Sequence, residues 1–451
     1  MNNELWNKIL RFDFDTPHSE YGFSTRLANE NYWTKNFTQQ AILEYKKFMY
    51  LAATSELMVS PSEIVDTVWH QHLIFTQSYQ EFCTILGKQV QHLPSTHNQE
   101  DFEKFRQAKE RTVKYYENNF SVQPKAIWEY ADMYQSLNLV KAKYKLRSFL
   151  IVAILVFIAT TIPFYFLLVP VYTKLDNPDF MYGFIALTLT VFASLEWYNR
   201  RTLKITRLFD KDAFIFDLEP LELVYLKKQN LTDCINGTVN ELVKNQSIKV
   251  NADHTLQLNI NVSTNSSEQR QAVAVLRELG KTFYPNVLKR LIRKPIFWNT
   301  ANCMDAFVKY FNKSKLFGSL FYMNFATLGL LLMLSFIRLA SGIIRDKPLT
   351  YIAFAVVILT ALVIYYMDRL TKLVAKETIP RLYKDELLPG RPIEDNWQWN
   401  YFLFGQAVLA TSFLPLASYV HKNNSTDGSA GNSCESSCGS SCGGCGGCGG
   451  D

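Results

Sequence analysis

The sequence predicts a mainly α fold: a helical cytoplasmic domain, a five-helix transmembrane region, and a winged-helix-like α+β cytoplasmic domain inserted between the spans. Three observations lead there. Apolar runs of spanning length begin only after residue 147. The residues before them are rich in aromatics and carry helix start signals. Between the second and third runs, two helical patterns are followed by alternation around a turn.

The first unit, residues 1–140, opens without an apolar core or cleavage site, so no secretory signal is expected in "MNNELWNKILRFDFD". Its most informative stretch is "VSPSEIVDTVWHQHLIFTQSYQEFC", residues 59–83. Ser60 is placed to cap a helix, Pro61 suits the first turn, and Glu63 completes a capping box. Val59 and Ile64 are placed as a hydrophobic staple, and the helix is expected to reach Leu86 and stop at Gly87.

On such a helix His70 and His72 project about 160° apart, so one ion cannot be gripped by both. His72 falls in the apolar stripe of Val65, Val68, Trp69, Thr76, Tyr79 and Cys83, and reads as a core histidine with a hydrogen-bond partner. His70 lies one turn after Asp66 on the polar side, where a carboxylate orients an imidazole for acid–base or ligand chemistry. Cys83 shares the face of His72, and a returning loop brings His92 to either face. Asp66, His70, His72, Cys83 and His92 are therefore the metal-ligand candidates of this unit, for zinc or another soft transition metal. The alternative is that these groups only pack and hydrogen-bond.

"EYKKFMYLA", "VSPSEIVDTVWHQHL", "LGKQVQHLP", "TVKYYENNF" and "PKAIW" follow one another over residues 40–128. In this order they resemble the glycine-rich domain-containing protein-like family, which has a helical domain with a W-H-x-H signature. The counterparts here are Asp66, Trp69, His70, His72, Tyr79, Cys83, His92 and Pro94. The resemblance implies a helical fold and no defined chemistry.

Five runs then reach the ~20 residues a bilayer-crossing helix needs: 148–172, 180–198, 317–337, 350–367 and 401–420. They group as 148–198, 317–367 and, after a cytoplasmic loop at 368–400, a fifth span that carries Gly405, Gln406 and Pro415. Lys141, Lys143, Lys145 and Arg147 precede the first run; Arg200, Arg201, Lys204 and Arg207 follow the second. Lys309, Lys313 and Lys315 precede the third; Arg369, Lys372 and Lys376 follow the fourth. Alternating spans put all these clusters on one side, which the positive-inside rule makes cytoplasmic. The expected location is the bacterial inner membrane, with the N-terminus cytoplasmic and the tail outside. Trp197, Trp397 and Trp399 suit an interfacial belt. Glu196 reads as half of an interfacial ion pair with Arg200, and no charge cluster marks a pump or ion-coupled transporter.

The inserted unit, 199–316, reads as helix, helix and hairpin: "LEPLELVYLKKQ", "DCINGTVNELVKNQSI" and "SIKVNADHTLQLNI". Arg290 and Lys294 are its basic pair. A net charge of +6, tethering at both ends and the lack of a basic recognition helix argue against nucleic acid and for a small interaction domain whose basic residues face anionic lipid, so the expected partners are the lipid bilayer and proteins on the cytoplasmic side. "LEPLELVYL", "TVNELVKNQSIKV" and the tail resemble a cytosolic domain of bacterial multi-span proteins that end in glycine and cysteine.

Residues 421–451 are a flexible Gly/Cys-rich tail. Cys434, Cys438, Cys442, Cys445 and Cys448 recur at a spacing that wraps a soft ion or forms disulfides, according to compartment. No nucleophile triad, phosphate loop or complete zinc motif is present. The expected function is a non-enzymatic membrane scaffold or sensor. The alternative is an enzyme or metal-binding protein with a His/Asp site in the N-terminal domain.

Overall fold

The computed structural model describes residues 2–92, 99–204, 208–389 and 396–426. It is mainly helical. The N-terminal unit holds α1 (Asn3–Arg11), α2 (Phe23–Asn31), α3 (Lys35–Thr54), α4 (Glu63–Ile74), α5 (Thr76–Leu86), α6 (Gln99–Phe120) and α7 (Lys125–Trp128). α3 is its axis. Thr34 caps it by accepting from the Phe37 amide, and Tyr45, Phe48 and Met49 are wholly buried along it. Each such side chain contributes roughly 1.5–3 kcal/mol by leaving water.

Next come α8 (Leu146–Tyr172) and α9 (Asn177–Thr202). The inserted unit follows, with α10 (Pro220–Lys228), α11 (Leu231–Lys244), β1 (Ile248–Val250), β2 (Thr255–Leu258), α12 (Ser267–Leu279), β3 (Thr282–Phe283), α13 (Tyr284–Leu291) and α14 (Pro295–Asn312). The strands form one antiparallel sheet in the order β1-β2-β3, with Lys249 opposite Gln257 and Leu256 opposite Thr282. The hairpin lies where the alternation put it.

α15 (Lys315–Ile344) and α16 (Thr350–Leu373) complete the apolar helices. Among the described residues, the helices carrying the first four runs are long and apolar enough to cross a membrane, with mean hydropathies of 2.5, 1.4, 2.0 and 2.1. Their outer surfaces are greasy: Ile151, Leu155 and Phe166 on α8 and Tyr351, Phe354 and Val357 on α16 are all more than half exposed. Water would not tolerate so much contiguous apolar surface, whereas lipid requires it.

Polar groups tie these helices together. Asn199 and Asn324, both fully buried, exchange side-chain hydrogen bonds of 3.0 and 2.8 Å, and Asn199 also donates to Tyr366 Oη. Interhelical bonds of this kind contribute about 0.6–1.7 kcal/mol. Asn324→Leu is therefore expected to destabilise the helical region by about 1–2 kcal/mol, more than a single bond because Asn199 loses both of its bonds to Asn324, read as a lower midpoint in SDS titration. Glu196 pairs with Arg200 at 2.6 Å, as expected, and also with Arg369 at 2.9 Å, which continues to Glu377. Arg338 lies inside α15, where it donates to the carbonyls of Tyr172, the last residue of α8, and Leu175 just beyond it.

The stretch 401–420 departs from expectation. It is not one helix but α18 (Trp397–Phe404), a 3₁₀ turn at Gly405–Val408 and α19 (Leu414–Thr426), with α17 (Ile379–Leu382) preceding it. Gly405 adopts φ +61°, closed to most side chains, and ends α18. The two pieces pack on the inserted unit. Tyr401 Oη donates to the Asp233 carbonyl, Asn240 Oδ1 accepts from the Ala410 amide, and Phe413 meets Tyr284 edge to face. Apolar residues that read as lipid-facing are core residues of a folded unit. The tail lies outside the described residues.

The two folded units share one apolar core. Charge fixes their contact: Lys35 Nζ sits 3.1 Å from Glu268 and 3.3 Å from Glu219, and Lys294 pairs with Glu20 at 2.6 Å. Lys294, half of the basic pair, is thus engaged with the N-terminal unit.

Candidate metal centre

α4 begins two residues later than its sequence suggested. Ser62, not Ser60, is the cap, accepting from the Val65 amide at 3.2 Å. Asp66 and His70 then stand one turn apart on one face, 3.3 Å between Oδ2 and Nε2.

The expected single helix to Leu86 breaks at Phe75 (ψ 65°), and α5 continues at a new angle to Gly87, whose φ of +71° reverses the chain. Lys88 Nζ then donates to the carbonyls of Ala52 and Ser55, and Tyr79 Oη donates to the Val90 carbonyl. These bonds deliver His92 to the other oxygen of Asp66, with Nε2 2.9 Å from Oδ1. Trp69 gives its indole N–H to Tyr79 and seats its ring edge to face against His92, centroids 4.6 Å apart. His70 and His92 rings lie 4.4 Å apart.

Asp66, His70 and His92 thus converge, their donor atoms all within 4.8 Å of one another. Ligand atoms at about 2.0–2.1 Å from a shared ion lie about 2.9–3.4 Å apart for octahedral to tetrahedral angles; the 3.3 and 2.9 Å separations, each to a different oxygen of Asp66, fall in that range. Two imidazoles and a carboxylate suit zinc, iron, cobalt or nickel. His92 is 15% exposed and His70 60%, so one flank is walled by Trp69 and the other is open to solvent and to exogenous ligands.

His72 and Cys83 stand apart from this cluster. His72 is fully buried, with Tyr45 Oη 2.9 Å from Nδ1 and Ser78 Oγ 3.2 Å from Nε2, and Phe14 and Phe23 edge-on to its ring. Cys83 is a buried free thiol beside Tyr79. The tail cysteines and Pro94 lie outside the described residues. The positioning roles of Trp69 and Tyr79 were not legible beforehand, since both residues read as apolar stripe.

Burial pushes the His72 imidazole down to about 3. In the unfolded chain it titrates near ~6.5, so between those values the unfolded state binds more protons. Its contribution to stability is whole above about pH 6.5 and is lost as pH falls toward 3. The urea midpoint of the N-terminal unit, followed by tryptophan fluorescence, is expected to fall across that window, and His72→Phe to flatten the slope.

The family model described as UCP032817-like matches residues 19–128, a span that includes Asp66, Trp69, His70, Tyr79 and His92. No curated protein and no solved structure matches the chain.

Proposed function

We propose that the chain is a membrane-anchored metal-binding sensor or scaffold, whose N-terminal unit holds a divalent transition metal through Asp66, His70 and His92. One observation carries this: the chain reverses at Gly87 and returns His92, pinned through Tyr79, to a carboxylate already facing His70. Such precise return of an imidazole, walled by Trp69, is what a preorganised ligand needs. The motif order resembling the glycine-rich domain-containing protein-like family acquires a physical sense under this reading. Trp69 seats one ligand, His70 is another, and His72 buttresses the helix from the core.

Four spans, with 401–420 packed on the inserted unit, support a topology with both folded units and the tail on one side. The basic clusters make that side cytoplasmic, in a bacterial plasma membrane. The tail thiols would then stay reduced and free for a soft ion rather than form disulfides. Impermeant-maleimide labelling of intact cells tests this: no tail labelling until permeabilisation is expected, and labelling without it would return the tail to the outside.

Elemental analysis of the purified full-length protein, its tail thiols alkylated so that they hold no metal, tests the metal reading. Near-stoichiometric metal, lost on His70→Ala and His92→Ala, is expected; metal-free protein that fails to take up zinc, iron or cobalt would refute it. The exposed side of His70 favours one second reading, an enzyme using the open coordination positions.

A further inference from the structure

A cleft of about 640 Å³ separates the N-terminal unit from the inserted unit. α2 lies along one side, α12 and α14 along the other, and none of Asp66, His70 or His92 lines it. Its volume is that of a small-molecule site, and such sites favour junctions between units.

Its polar groups are of two kinds. Lys35 engages Oε1 of Glu268, while Glu268 Oε2 is buried without a hydrogen-bond partner among the described residues. Asn299 Oδ1 is in the same state. Both residues line the cleft and both atoms are acceptors, so they call for a donor. Arg270 and Arg277, two turns apart on α12, also line it; Arg270 touches Ser267 Oγ, and neither guanidinium has an ion-pair partner among the described residues. Of the other acids that line it, Asp15 accepts from the Ser24 amide, Glu20 holds Lys294 and Glu222 accepts from the Lys35 and Glu219 amides, while Glu278 is exposed to solvent. A simple anion would satisfy the arginines and be repelled by Glu268. A simple cation would do the reverse.

We propose that this cleft binds a small zwitterion of the amino-acid or short-peptide class, its ammonium donating to Glu268 and Asn299 and its carboxylate held by Arg270 and Arg277. An ammonium is donor-only and a carboxylate acceptor-only, which matches the two sets. Because the walls belong to two units, the bound molecule bridges them and stabilises their contact. The inference does not depend on the metal centre.

The test uses the full chain in lipid nanodiscs, treated with chelator so that metal binding cannot contribute. The probes are the L-amino acids singly and a panel of dipeptides, followed by thermal unfolding and calorimetric titration. At least one probe is expected to raise the unfolding midpoint and to bind. Arg277→Ala, an exposed position, and Asn299→Leu are each expected to weaken that binding about tenfold or more. If no probe binds at concentrations up to about 10 mM, or if both variants bind as the parent does, the proposal is overturned.

Discussion

His92→Ala is expected to weaken zinc binding about 100-fold, while His72→Ala leaves the affinity within about threefold. Structural zinc sites with four ligands bind with about 10–16 kcal/mol, or roughly 2.5–4 kcal/mol per ligand, and each such loss is worth about two decades or more. His92 is one of three converging donors, whereas His72 points into the core toward Tyr45 and Ser78. His72→Ala should instead destabilise the unit by about 2–4 kcal/mol, because it opens a cavity among Phe14, Phe23 and Phe82 and strands the Tyr45 hydroxyl. Competition titration against a chromogenic chelator, on protein whose reactive thiols have been alkylated, separates affinity from stability. Cys83, Cys234 and Cys303 are buried and are spared by that treatment. Equal losses of affinity in the two variants would contradict the assignment of roles.

Glu44→Ala is expected to destabilise the N-terminal unit by about 3–5 kcal/mol. Glu44 is 3% exposed on α3. Its Oε2 accepts from Tyr116 Oη on α6 and from Trp128 Nε1 on α7, both at 2.8 Å, and its Oε1 takes Lys47 Nζ at 2.7 Å. One carboxylate therefore joins three helices. Truncation leaves the Tyr116 and Trp128 donors buried without an acceptor and takes the counter-charge from Lys47, which keeps only the Tyr116 hydroxyl as acceptor, and that penalty exceeds the value of the bonds themselves. Glu44→Gln keeps the volume and can serve some of the donors, so it should cost roughly half as much. Urea unfolding of the two variants checks the order; a Glu44→Gln change as severe as Glu44→Ala would show that charge, not hydrogen-bond saturation, dominates.

What could be read beforehand follows from how local each signal is. A bilayer imposes its thickness on consecutive residues, so α8, α9, α15 and α16 were plain in one dimension. The stretch 401–420 met the same length and composition test, yet Gly405 breaks it and Asp233, Asn240 and Tyr284 receive the pieces. Those partners lie more than a hundred residues away, and no window sees them. The Asp66–His70 pair was legible because four residues make one helical turn. The return of His92 was not, because it rests on the break at Phe75, the left-handed Gly87 and a Tyr79 hydroxyl reaching the Val90 carbonyl. The cap moved from Ser60 to Ser62 because two serines flank Pro61 and local propensity does not choose between them. The cleft between the units depends on the docking of Lys35 and Lys294, which sequence spacing does not encode.

The proposed metal centre holds its ion through two imidazoles and one carboxylate. X-ray absorption at the zinc edge, on full-length thiol-alkylated protein loaded with one equivalent of zinc, addresses that directly. The prediction is a nitrogen and oxygen shell at ~2.0–2.1 Å with imidazole scattering from two rings, reduced to one ring in His92→Ala. Zinc that washes away on desalting, or a shell without imidazole, would contradict it.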